Sequence, residues 1–199
     1  MLFRSYVLTT TSANPGNMAS MAVASLFLPF LPLLAGQILL NNFLSDIPAI
    51  GVADDNVDPE LVDRPRRWDM GFIRRFMIEF GALSSLFDML TFGLLLGVFG
   101  ASAELFRTGW FVESLLTELV VALVVRTRRR FYRSRPGRVL LVTTLALVPT
   151  AFLVPFLPGA TLLGFVPMPI DLMVALVFIT AGYVAATEWL KDSFYRRAD

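Results

Sequence analysis

Six apolar stretches, each near the length needed to cross a lipid bilayer and each bounded by charge, proline or glycine, decide what this chain can fold into. A hydrocarbon core of roughly 30 Å takes about 20 helical residues per crossing. The stretches cover residues 6–31, 33–50, 76–99, 110–125, 139–157 and 170–190. Backbone polar groups find no water at that depth, so each stretch must satisfy its own as a helix. The expected fold is therefore all-α, a polytopic bundle of six transmembrane helices, with Pro29, Pro32 and Gly36 marking the tight turn between the first two. Hydrophobic residues make up 56% of the 199-residue chain and charged ones 17%, a balance outside that of soluble domains. Residues 1–5 are expected to be a non-native scar or a disordered start, because YVLTTTS after them begins as though within a longer chain.

Basic residues set the expected orientation, since their excess stays on the cytoplasmic side. The connection at 51–75 holds Arg64, Arg66, Arg67, Arg74 and Arg75, and that at 126–138 holds Arg126, Arg128, Arg129, Arg130, Arg133, Arg135 and Arg138. Lys191, Arg196 and Arg197 follow the sixth segment, whereas the alternate connections offer only Arg107. Both termini are thus expected to be cytoplasmic. Trp68, Trp110 and Trp189 fall near segment ends, where interface anchors belong. The arginine run after the fourth segment, interleaved with Phe131 and Tyr132, superficially suits nucleic acid. Directly after a crossing it reads instead as a topology and anionic-lipid anchor, and no nucleic-acid partner is expected.

The chain has no cysteine and no histidine, so thiolate or imidazole metal centres and Ser-His-Asp triads are excluded. Any metal chemistry must use oxygen. Ionisable groups inside a crossing are costly and therefore functional candidates. Asp46 is foremost, with Asn42 four residues earlier on the same helical face and Pro48 loosening the turn beyond it. Asn41 points about a quarter turn away. On the first segment Asn14 and Asn17 share a face, and Pro15 and Gly16 between them weaken the helix, as in the broken helices that line ion sites. The same asparagines and proline would also serve simple interhelical packing. Glu118, deep in the fourth segment, is a reserve ligand or counter-charge. Glu113 is expected near the outer interface, Asp88 in local hydrogen bonds to Ser84, Ser85 or Thr91, and Glu79 and Asp171 in solvent.

The wording of these segments is specific. TSANPGNM, SLFLPFLPLL, QILLNNFLSDI, DNVD, RPRRWDMGFIRRFM, SSLFDMLTFGLL, LFRTGWFVESLLTE and RTRRRFYRSRP resemble, in that order, the carboxy-terminal membrane region of bacterial magnesium-transporting P-type ATPases. The resemblance covers nearly everything from residue 6. It implies that the six segments are membrane helices five to ten and that a cation passes between helices four, five and six. By resemblance Asn17 and Asn14 match the asparagines of helix five, and Asn42 and Asp46 the Asn and Asp of helix six. Pro15 and Glu118 depart from the commonest family pattern and leave the ion preference open.

The family's DKTGT, TGE and GDGxND motifs do not occur in these residues, and no Gly-rich phosphate cradle replaces them. The resemblance therefore implies a membrane part of an ATP-driven magnesium transporter of the bacterial inner membrane. Mg2+ would be the transported ion, and ATP would act only through missing domains. The expected partners are the lipid bilayer and the missing amino-terminal part of the pump, its helices one to four and cytoplasmic domains. The alternatives are a free-standing six-helix membrane protein, acting as passive conduit or structural partner, and a pump for calcium or another divalent ion.

Overall fold

A computed structural model describes residues 2–51, 70–127 and 129–198, with side chains from residue 15 onward except those of 49 and 198. The expected roles of Arg64, Arg66, Arg67, Trp68 and Arg128 and of the DNVD stretch lie outside these residues. The described residues form six α-helices and no strand: α1 (Leu2–Phe27), α2 (Ala35–Ile50), α3 (Met70–Gly93), α4 (Ala103–Val125), α5 (Arg138–Leu153) and α6 (Ile170–Ala198). Among the described residues, four helical spans are long and apolar enough to cross a membrane: Met70–Val98, Ala103–Val125, Arg138–Phe156 and Ile170–Arg197.

Helix ends follow local chemistry. α1 stops at Phe27 because Pro29 disfavours helix at Leu28 and Pro32 prevents recovery. Leu34 then caps α2: its carbonyl accepts from the Ile38 amide, and its own N–H donates to Gln37 Oε1 at 3.0 Å, half of a capping box. α4 begins seven residues before the expected start, where the extended Ser102 accepts the Leu105 amide on its Oγ. That shift places Trp110 two turns inside the helix and not at an interface. α3 passes into a π turn over Leu94–Val98 before the chain reverses.

α4 is the hub. Of an apolar 18-residue stretch of α4, 89% is buried inside the protein, against 33% for the corresponding stretches of α3 and α5 and 22% for that of α6. Phe106, Trp110, Phe111, Leu115 and Leu119 of α4 join Phe92 and Leu95 from the α3 side and Phe165, Leu172 and Leu176 from the α6 side. A second cluster, at the arginine-rich end, gathers Phe76, Phe80, Val121, Val125, Tyr183 and Phe194. Leu86, Leu90, Val142, Leu145, Val177 and Phe178 point outward, as lipid-facing positions do.

The turn between α1 and α2 is fastened to this hub by Arg107, whose Nε donates to Leu31 O at 2.9 Å and whose guanidinium lies 5.6 Å from the Phe30 ring centre. The lone basic residue of that side thus has a packing role.

α1 and α3 meet through small residues. A Cβ on Gly16 would stand 2.6 Å from Ser84 Cβ and 2.8 Å from Gly81 O, so only glycine permits this approach. Ser85 Oγ donates to Gly16 O at 3.0 Å. Contrary to the expectation of a broken helix, α1 runs without interruption through Pro15 and Gly16. The neighbouring helix holds that segment and satisfies one of its carbonyls.

Candidate functional site

Two buried polar clusters sit beside each other around α4. In the first, Asn17 of α1 donates from Nδ2 to Glu118 Oε1 at 2.6 Å and to Ser114 Oγ at 2.8 Å. Asn41 of α2 donates to Glu118 Oε2 at 3.1 Å and more weakly to Ser114 Oγ at 3.5 Å. Ser45, one turn beyond Asn41, donates to Asn42 O at 3.2 Å and lies near Glu118. Both amide oxygens, Asn17 Oδ1 and Asn41 Oδ1, are buried with no partner among the described residues. An unpaired buried carbonyl is unfavourable, and rotating either amide by a half turn would present its oxygen beside the Glu118 carboxyl.

The second cluster joins α1, α3 and α4. Asp88 accepts from Ser20 Oγ at 2.6 Å and from Trp110 Nε1 at 2.8 Å, and Glu113 lies within hydrogen-bonding reach of it. The bonds that hold Asp88 thus come from other helices and not from its own local neighbours. Glu113 is 1% exposed, far from the interface expected for it, because α4 is enclosed along its length.

Asp88, Glu113 and Glu118 interact electrostatically with one another, and among the described residues none of the three is ion-paired. Three anions cannot share a low-dielectric interior unless protons or cations offset part of their charge. The bundle centre can therefore accommodate positive charge, either as protons on these carboxyls or as a cation.

Asn42 and Asp46 lie about 100° further round α2. Both are exposed in this chain, although Asp46 remains near enough to Glu118 for their charges to interact. Asn17 and Glu118 are brought together; Asn42 and Asp46 stand apart from that contact. The side chain of Asn14 lies outside the described ones. Asn41 and Ser114 were not among the expected residues. The signal for Asn41 was the spacing Gln37, Asn41, Ser45, a polar stripe at helical intervals parallel to Asn42 and Asp46.

A family profile for the carboxy-terminal region of cation-transporting ATPases matches residues 30–192. The chain belongs to that family. It is 40% identical over 197 residues to magnesium-transporting ATPase, P-type 1, of Escherichia coli strain K12, and 39% identical to the protein of that name from Salmonella typhimurium strain 14028s. A further protein of that name from Salmonella typhimurium strain LT2 is 36% identical. Each match takes in 96% of this chain and 22% of the relative, so the chain spans about a fifth of the length of the curated relatives it matches.

Proposed function

We propose that this cation-transporting ATPase region is the membrane part of an ATP-driven magnesium transporter of the bacterial inner membrane, with its cation pathway along α1 and α2. The observation that carries this reading is the pairing of the Asn17 and Asn41 amides with a buried, un-ion-paired Glu118, in a chain that matches magnesium-transporting ATPases over 96% of its length. Glu118 supplies charge, and the asparagines supply neutral oxygens once their amides turn. Magnesium prefers such hard oxygen donors and keeps part of its water shell.

Asn42 and Asp46, exposed at the edge of this chain, would line the same pathway against the part of the longer protein that carries helices one to four. Asn14 would extend it along α1. ATP would act through cytoplasmic domains in that part, and all six helices would cross the bilayer with both ends of this region in the cytoplasm. Alternating access would come from α1 and α2 shifting against the preceding helix.

The test is Asp46→Asn in the full-length transporter, reconstituted in liposomes with a magnesium-sensitive dye. ATP-driven magnesium uptake is expected to fall to background. Uptake equal to wild type would remove Asp46 from the pathway, and ATPase activity stimulated by calcium but not magnesium would overturn the choice of ion.

A further inference from the structure

The carboxyl pair Asp88 and Glu113 is left over by the cation pathway. Glu113 is 1% exposed, its Oε2 has no donor among the described residues, and the group beside it is another carboxyl. Two ionised carboxylates offer each other only acceptors. A single proton between them repairs the contact. Asp88 already takes Ser20 and Trp110 as donors, so the position left to fill on this pair is the one toward Glu113.

A line of unsatisfied hydroxyls leads away from the pair along α6. Tyr183 is 1% exposed and lies within electrostatic range of both Glu113 and Asp88. Its hydroxyl stands next to Ser84 on α3 and Thr187 on α6 without completing a hydrogen bond to either. Thr187, one turn on and wholly buried, also has an unpartnered Oγ1. One turn further is Lys191, 1% exposed, whose Nζ donates to Val124 O at 3.0 Å, Arg129 O at 2.8 Å and Glu188 Oε1 at 2.7 Å. Tyr183, Thr187 and Lys191 follow a four-residue spacing and so form one stripe facing the bundle. It ends among the arginines that follow α4.

We infer that Asp88 and Glu113 form a proton-binding site, and that the Tyr183 and Thr187 hydroxyls connect it to the arginine-rich end of the bundle. The proton leaves the carboxyl O–H as each hydroxyl accepts one proton and passes on its own. The hydroxyls are unchanged at the end, and the released proton is taken up by water at Glu188. The groups facing the pair are Ser20 from α1, Trp110 and the charge of Glu118 from α4, and Tyr183 from α6. Because Glu118 feels the charge of Asp88, a cation arriving there favours release of the proton and its departure favours return. This last link rests on the proposed cation pathway; the proton site does not.

The experiment uses the full-length transporter in lipid nanodiscs and in liposomes. Infrared difference spectra across pH are expected to show a protonated carboxyl band that Glu113→Gln removes, since the glutamine amide can donate to Asp88 and keep the fold. Asp88→Asn is expected to remove the same band. In liposomes carrying a pH dye, ATP-driven transport is expected to move protons opposite to the cation, with that flux falling at least about tenfold in Glu113→Gln and less in Tyr183→Phe. A band unchanged in both carboxyl variants would overturn the proton site whatever ion is carried. A lost band with proton flux equal to wild type would overturn the relay. No ATP-driven magnesium uptake by the wild-type transporter, with the band intact, would instead strike the cation reading alone.

Discussion

The two polar faces of α2 carry nearly the same chemistry and have opposite surroundings. Gln37 and Asn41 turn into the bundle and are 0% and 5% exposed, whereas Asn42 and Asp46 are exposed. The inward amides are fixed by Leu34, Ser114 and Glu118, so their loss should be felt in stability as well as in transport. The outward pair makes no comparable bonds among the described residues, so its loss should be felt in transport. One helix thus carries a face braced within this chain's own bundle and, about 100° round it, a face left open to the rest of the transporter.

The sharpest break of this contrast is Asp46→Asn, which is expected to abolish uptake while leaving the thermal unfolding of the detergent-solubilised transporter unchanged; a large drop in melting temperature would place Asp46 among the structural groups. Gly16→Ala comes next. Its new Cβ would overlap Ser84 and force α1 away from α3, costing about 1–3 kcal/mol and drawing Asn17 off Glu118. Unfolding in graded denaturant measures that cost.

Asn41→Leu removes the donor to Glu118 Oε2 and is expected to cost about 1–2 kcal/mol, allowing for the modest worth of hydrogen bonds between membrane helices. Asn42→Leu should change stability by less than about 0.5 kcal/mol and still impair magnesium uptake. If the two asparagine variants exchanged these outcomes, the assignment of faces would be reversed.

The helices themselves were legible in the sequence because long apolar runs between charges have few other solutions. Family membership was equally legible, carried by motifs as long as LFRTGWFVESLLTE. Which face of α2 turns inward was not. Positions 37 and 41 and positions 42 and 46 have the same spacing, and only the place of α4 distinguishes them. Trp110 misled for a related reason: apolarity begins strongly there, but the Ser102 cap starts the helix earlier and carries the tryptophan inside. Pro15 suggested a break, yet a proline's missing donor leaves a helix intact when a neighbouring helix, here α3, packs closely against it. Asp88 and Glu113 were seen as separate acids, since residues 25 positions apart announce no partnership until α3 and α4 are laid side by side.

The seam between α1 and α3 has a mechanical consequence. Ser85 grips the Gly16 carbonyl and Ser20 grips Asp88, so two fastenings four residues apart anchor the middle of a 26-residue rod. A rod held at its waist, with the turn beyond its carboxy-terminal end tied down by Arg107, resists sliding and leaves tilt to its amino-terminal half. Asn17 lies between the fastenings, close to the fulcrum, so such a tilt would move the start of α1 while barely disturbing the amide near its centre.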